Sequence, residues 1–365
     1  MAKIAIDARE LTSSTGRYVE RLIHYLQEID KTNSYVVLLR PQDMNKWKAT
    51  NPNFSSVACP YKEFTFSEQI GYRHFLKKLD VDLVHFAMVQ QPLLYFGKHV
   101  TTMHDLTTTR FSNPAKNEVV YFFKQQIYKF VNWYVPRFSK VIITPTEFVK
   151  KDVVRFSKIK ESKIVVTYEA ADEIHESIEP IKSLQSKPFV FYVGRPQPHK
   201  NLGRLLEAFS ILRKSNPYIL LVLAGRNDTV YDSFMKQAKK LKIADSVVFT
   251  GYVTEGQLKW LYRGCKAYVF PSLSEGFGLP GLEAMVHHAP VVSSDATCLP
   301  EVYGDAAWYF NPLDVHDMAR SINEVLQNTE LRKELIRRGV KRASNYSWKK
   351  MAEQTLAVYE KALLQ

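Results

Sequence analysis

Apolar positions along the chain follow two alternating patterns. Short β-branched runs at 3–8, 35–39, 81–86, 100–103, 141–144 and 164–168 are separated by longer stretches with helical spacing. A second series follows at 189–193, 219–224, 247–250, 267–271 and 291–293. Continuous apolar runs of this length are what strands covered on both faces show, so the pattern predicts βαβ units and parallel sheets. After the first run, Val19, Leu22, Ile23, Leu26 and Ile29 fall on one face of a helix. Thr144-Pro-Thr-Glu147 predicts another helix start, with Thr144 as cap, Pro145 in the first turn and Glu147 reaching back. Ser347 is the expected cap of a last amphipathic helix. Between the two series, 172–188 is polar, carries Pro180 and Pro188, and reads as a linker. The expected architecture is α/β, two Rossmann-like domains facing a central cleft. Residues 1–175 with a returning helix at 347–365 form the first domain and 186–346 the second. In such sheets ligands bind beyond the carboxyl ends of the strands.

A chain of 365 residues suits two domains, and its 45% apolar and 24% charged composition excludes a disordered or fibrous protein. Cys59, Cys265 and Cys298 are too few and too scattered for a disulfide framework and suit a reducing compartment. No apolar run approaches the roughly 18 residues of a membrane span, and the N-terminus reads as a strand rather than a signal peptide. The formal net charge of +13 is unevenly spread: residues 110–163 hold 12 basic and 4 acidic side chains, a net of +8. The same stretch holds Tyr121, Phe122, Phe123, Tyr128, Phe130, Trp133, Tyr134 and Phe138. Either its aromatics pack inward from amphipathic helices whose cations stay wet, or the mixture meets anionic lipid or nucleic acid.

Candidate chemistry concentrates at strand ends. A buried strand ending at Pro271 runs into a loop with Glu275, Gly276 and Gly278, and Pro280 opens a helix with Glu283 in its first turn. A helix start seats phosphate oxygens, while the two flanking carboxylates suit hydroxyl groups; a nucleotide sugar has both. A plain glycine turn with a dipole-favoured first-turn acid is the other reading. The strand at 189–193 leads into Gly194, then Arg195 and Lys200 on a proline-stiffened loop, with Asn201 as cap of the next helix. Cations held there either neutralise charge growing on a departing diphosphate or are solvated surface groups. Taking the chain to offer no Asp-x-Asp, metal-independent chemistry is expected. Arg9-Glu-Leu-Thr-Ser-Ser-Thr-Gly16 is a small-residue loop at a ligand-facing position, or an ordinary connection. His104 ends another strand and is either a cleft-facing functional group or a structural one.

Together these segments resemble the family-4 retaining glycosyltransferases. The motifs are Glu275-Gly-Phe-Gly-Leu-Pro-Gly-Leu-Glu283, the family's E-x7-E, and Gly194-Arg195 through Lys200-Asn201, its G-R-x4-K-N. Val166 to Asp172, Leu299 to Ala306, Met103-His-Asp105 and Tyr346-Ser-Trp348 are similar to further family segments. The resemblance implies the GT-B fold and a nucleotide-diphosphate sugar as donor substrate; no cofactor and no metal are expected. It implies that Arg195 and Lys200 hold the diphosphate and that Glu275 bonds sugar hydroxyls, helped by main-chain N–H groups of Gly276, Phe277, Gly278 and Leu279. Glu283 would take the ribose, His104 would touch the transferred sugar, and Gly16 and Gly194 would let main chain approach phosphate. Tyr252 and Val253 would seat the base. Tyr168 to Asp172 and Thr144-Pro-Thr146 look most like mannosyltransferases, which points to GDP-mannose. A UDP-sugar glucosyl- or N-acetylglucosaminyltransferase, a nucleotide-sugar epimerase and a basic nucleic-acid-binding protein are the alternatives. The expected partners are a nucleotide sugar, a saccharide or lipid-linked acceptor and an anionic membrane surface met by 110–163, with no nucleic acid. The expected setting is cytoplasmic polysaccharide biosynthesis for the cell envelope, extending to the inner face of the membrane. Two features depart from the family: Ser14-Thr15-Gly16 leaves one glycine of a usual pair, and His287-His288-Ala-Pro290 replaces Cys-Gly-x-Pro. The adjacent histidines point to different faces of a helix and so do not suggest a metal pair.

Overall fold

A computed structural model describes residues 1–12, 16–111, 118–225 and 229–365, with the main chain alone at 118–121 and 229–230. Ser14 and Thr15 of the first loop, 112–117 of the basic stretch and the side chain of Tyr121 lie outside the described residues. Two compact units emerge. The second runs Ala170–Tyr346, and Ser347–Gln365 belongs with the first.

The first unit holds β1 (Lys3–Asp7), β2 (Ser34–Leu39), β3 (Phe54–Ala58), β4 (Leu83–Phe86), β5 (His99–Thr102), β6 (Val141–Thr144) and β7 (Ile164–Val166). They form one parallel sheet in the order β3-β2-β1-β4-β5-β6-β7. The second holds β8 (Phe189–Val193), β9 (Leu220–Ala224), β10 (Val247–Gly251), β11 (Ala267–Phe270), β12 (Val291–Ser294) and β13 (Ala307–Phe310). Its parallel order is β10-β9-β8-β11-β12-β13. Each strand read from the sequence is present. The two that were not read, β3 and β13, are edge strands with partly wet faces: β3 carries Ser55 and Ser56 in its middle, and β13 is a run of only four residues with Trp308 exposed.

Local signals hold in part. The helix Gly16–Ile29 buries Val19, Leu22, Ile23 and Leu26, and Ser347 caps Trp348–Leu364 by accepting from the Lys350 N–H. Thr144, by contrast, is not a cap: β6 keeps it in register with Val166, and the helix Glu147–Ser157 is capped by Thr146, which accepts from the Val149 N–H. Pro145 therefore precedes the cap instead of filling the first turn. The 172–188 stretch has no strand but is not loose. Ile174 and Glu179 donate to His287 Nε2 and the Gly256 carbonyl, and Lys259 Nζ donates to the Ile174 carbonyl.

The returning helix is fixed by a buried polar chain. Tyr359 Oη lies 2.6 Å from His85 Nδ1, His85 Nε2 lies 2.8 Å from Thr102 Oγ1, and Tyr18 Oη lies 2.9 Å from the same Thr102 oxygen. Burial, helped by nearby His104, pushes His85 down to about 3, so it packs as a neutral ring. The helix Glu118–Phe138 corrects the inward-packing reading. Val131, Asn132 and Val135 are buried, whereas Phe122, Phe123, Phe130, Trp133 and Phe138 are exposed.

Candidate functional site

In both sheets the strand order reverses beside the first strand of the series, between β1 and β4 and between β8 and β11. Chains leaving two such neighbours diverge to opposite faces, and the crevice between them is where open α/β sheets bind ligands. The segments 194–201 and 271–283 are the two loops that flank the β8/β11 reversal. Crowding is severe there. A Cβ on Gly225, just after β9, would stand 2.4 Å from the Gly194 carbonyl, so only glycine lets the chain leaving β9 touch the loop that follows β8.

The two loops are knit together through Lys200 and Glu275. Lys200 Nζ donates to Glu275 Oε1 at 2.6 Å, with side-chain exposures of 17% and 12%. Leu273 N–H donates to the His199 carbonyl, Glu275 N–H to Thr297 Oγ1, and Cys298 Sγ to the Glu275 carbonyl. Asn201 does not cap the helix Leu202–Ser215 with its side chain. It adopts a left-handed conformation and donates instead to the Pro271 and Pro312 carbonyls, tying the cation loop to the carboxylate loop. Arg195 follows Gly194 and is exposed. Two buried hydroxyls beside these loops, Tyr192 Oη at the end of β8 and Ser272 Oγ after β11, have no hydrogen-bond partner among the described residues. Burial, with Glu275 nearby, holds the Tyr192 phenol well above its ordinary range, so it remains a neutral donor.

Gly276 continues the loop and Phe277 is buried, its ring edge-on to Tyr346 at 5.6 Å. Gly278 caps the helix Leu279–Val286 with φ +90°, where a side chain would also strike Tyr303 Oη, whose hydroxyl donates to the Gly278 carbonyl. Glu283 is not in the first turn: helix numbering starts at Leu279, which places Glu283 in the second. Its acidity therefore does not serve the dipole, which weakens the capping-acid reading. Tyr262 Oη donates to Glu283 Oε2 at 3.2 Å. His287 Nδ1 donates to the Glu283 carbonyl, its Nε2 accepts the Ile174 N–H, and its ring stacks on Tyr262. Burial pushes His287 down to about 4, in keeping with one nitrogen that must accept. Its neighbour His288 is exposed, so the pair diverges as expected. Tyr252 is exposed and Val253 half-buried, directly after Gly251 at the end of β10.

His104 and Gly16 belong to the first unit. Gly16 opens its helix with the Leu11 carbonyl packed against it. His104 follows β5, with Nε2 at 3.0 Å from the Ala87 carbonyl and Nδ1 at 3.2 Å from Glu169 Oε1. Burial works to lower its basicity, but the bond and charge of Glu169 outweigh this, and the pKa is raised. Both nitrogens face acceptors, the arrangement of an imidazolium. The premise about Asp-x-Asp was mistaken: Asp80-Val81-Asp82 is one. It precedes β4, and Asp82 accepts from the Lys3 N–H, at the amino ends of the strands, away from the ligand edge. Tyr192, Thr297, Tyr262 and His287 were not singled out as site residues. Only His287, four residues after Glu283, carries a local signal, because i, i+4 neighbours share a helix face.

Residues 15–174 match the family model described as Glycosyltransferase Family 4, and residues 173–342 the one described as Glycosyl transferases group 1. The chain is 29% identical over 273 residues to O-antigen chain mannosyltransferase B of Escherichia coli, covering 72% of this chain and 70% of that protein. It is 26% identical over 278 residues to O-antigen chain mannosyltransferase RfbU of Salmonella typhimurium, covering 76% and 74%. Sucrose-phosphate synthase from Thermosynechococcus elongatus shares the fold at a TM-score of 0.78 with 17% identity, over 99% of each chain.

Proposed function

The chain belongs to the glycosyltransferases, a family 4 domain followed by a group 1 domain on the GT-B fold, and from that premise we propose that it transfers mannose from GDP-mannose, with retention and without a metal. The acceptor is a saccharide or lipid-linked saccharide of the cell envelope, reached from the cytoplasmic side. The names of the relatives support mannose.

The Lys200–Glu275 pair at the β8/β11 reversal carries this reading. A cation and a carboxylate in contact and partly wet are matched to each other until a ligand offers each something better. A diphosphate draws Lys200, joined by Arg195, and sugar hydroxyls draw Glu275. The N–H groups from Gly276 to Leu279 add donors, and the unpartnered Tyr192 and Ser272 hydroxyls supply further hydrogen-bonding capacity. Glu283, oriented by Tyr262, takes the ribose hydroxyls, and the base lies against Tyr252 and Val253. Gly194 and Gly16 admit main chain close to phosphate, and His104 meets the transferred sugar through the polarised edge of a ring held by Glu169.

In the step itself the bond from the anomeric carbon to the diphosphate oxygen breaks. The acceptor oxygen bonds to that carbon from the face the diphosphate leaves, and the acceptor proton passes to the leaving oxygen. Arg195 and Lys200 stabilise the charge that grows there, the kind of preorganised electrostatic help that accounts for much of enzymatic rate enhancement. The test is incubation with GDP-mannose, UDP-glucose and ADP-glucose plus a mannose-terminated acceptor, after a thermal-shift panel of the same donors. Selective stabilisation by GDP-mannose, with GDP release and an α-mannoside product, is expected. No nucleotide release from any donor would overturn transfer; stabilisation by a UDP-sugar alone would overturn the choice of donor.

A further inference from the structure

The helix Glu118–Phe138 carries two apolar stripes. Val131 and Val135 are buried in the first unit, while Phe130, Trp133 and Phe138 face solvent at 49%, 41% and 45% exposure. Tyr134 stacks between Phe130 at 5.5 Å and Phe138 at 4.4 Å, and Phe96, 67% exposed, extends the stripe with its ring 6.1 Å from Phe138. The Arg137 guanidinium lies 3.6 Å over Trp133. Large apolar side chains contiguous on an outer ridge are not needed by the core and mark an interaction surface.

Beside this ridge lies a concavity of about 500 Å³ lined by Arg137, Lys140, Lys158, Lys160, Lys163 and Lys361, with no Asp or Glu side chain in its lining. Lys163 Nζ donates to the Arg137 carbonyl and Lys140 Nζ to a Gln365 oxygen. Burial, then the charges of Lys140 and Arg137, lower the Lys163 pKa, the mark of cations crowded on one side. Among the described residues no helix is long and apolar enough to cross a membrane.

We propose that this ridge and the basic concavity beside it form one docking surface for an anionic lipid bilayer, with the aromatics entering the headgroup boundary and the cations gathering lipid phosphates. A ridge of stacked rings running along a helix, with its cations alongside, matches a planar interface that is apolar below and anionic above. A nucleic acid would need ring faces free to receive bases, and here the Tyr134 ring is covered by Phe130 and Phe138 and a face of Trp133 by Arg137. The proposal is independent of the transfer reaction.

The test is co-sedimentation of the full chain with vesicles of phosphatidylcholine alone and with about one-third phosphatidylglycerol. Binding at least about tenfold tighter to the anionic vesicles, and weakening with salt, is expected. Lys160→Glu with Lys361→Glu should cut that binding about tenfold, and Phe130→Ser with Trp133→Ser should cut it comparably while leaving the salt dependence in place. Donor-induced thermal stabilisation and transfer to a water-soluble acceptor should be unchanged in both variants, which shows that they fold. Equal binding to neutral and anionic vesicles, no loss in either variant, or capture of an oligonucleotide without vesicle binding would overturn it. Loss of all transferase activity in the parent chain would strike the proposed reaction and leave the vesicle result standing.

Discussion

The two strand-order reversals hold charge in opposite ways. At the β1/β4 reversal, Arg9 donates to Asp7 at 2.8 Å and to Glu68 at 3.0 Å, with side-chain exposures of 2%, 6% and 1%. The Tyr61 carbonyl accepts from the other terminal nitrogen, Tyr72 lies 4.3 Å beneath the guanidinium, and the Phe64 N–H donates to the second Glu68 oxygen. Burial opposes the Arg9 charge, and Asp7, with help from Tyr72 and Glu68, restores it. At the β8/β11 reversal the comparable cation, Lys200, has one carboxylate and a share of water. The same reversal is thus closed by a buried network in one domain and left exchangeable in the other. A charge with all its partners inside the protein holds a loop; a charge with one partner at the surface is available to a ligand.

The sharpest way to break this contrast is Arg9→Met. Removing one member strands two buried carboxylates, and a loss of about 3–5 kcal/mol in urea unfolding is expected. Stabilisation of the surviving fold by GDP-mannose should persist. Loss of donor binding with stability intact would invert the comparison. Next, Lys200→Ala or Arg195→Ala should lower kcat by about 10²–10³-fold, with an unfolding midpoint close to the parent's. A large fall in stability with turnover retained would make Lys200 the structural partner.

The histidines of the two domains provide a third test. His287 is pushed down to about 4, so its contribution is complete above the ordinary histidine value of about 6.5 and is lost as pH falls towards 4, up to about 3 kcal/mol. His104 is raised, so its contribution is complete below about 6.5 and is lost as pH climbs through its own, higher value. NMR titration should find His287 neutral and His104 charged at pH 6.5, and Glu169→Gln should lower only His104. The smallest effect belongs to Tyr262→Phe. It removes one hydrogen bond to Glu283, worth about 1 kcal/mol, and should raise the donor KM several-fold with kcat nearly unchanged. Equal KM values would detach Glu283 from the ribose role.

Much of this was legible before folding. The central strands announced themselves because β1, β2, β8 and β11 are buried on both faces and therefore carry apolar cores, as in Ile4–Ile6 and Tyr35–Leu39. The loops at 194–201 and 271–283 were legible because glycine, proline and charge are packed where two apolar runs end. Edge strand β3 was hidden because Ser55 and Ser56 interrupt its apolar run, and β13 because four residues are too short a run to stand out. Capping was misread at Thr144 and Asn201 for one reason: the sequence offers a side chain able to cap, and strand register or a distant carbonyl decides its use. The orientation of the 130–138 aromatics could not be read either, since a helix apolar on two sides has the same composition as one packed inward.

Chain order and residue type alone determined the α/β class, two series of parallel strands and which loops carry charge and glycine, because burial and backbone sterics act locally and with a fixed period. Tertiary structure alone decided the partners: Lys200 against Glu275, His104 against Glu169 and Ala87, and Arg9 between Asp7 and Glu68. Those pairings span 65 or more residues in all but the Arg9–Asp7 and His104–Ala87 and Arg9–Glu68 cases. Electrostatic and hydrogen-bond energies depend on distance and desolvation, which no spacing along the chain records.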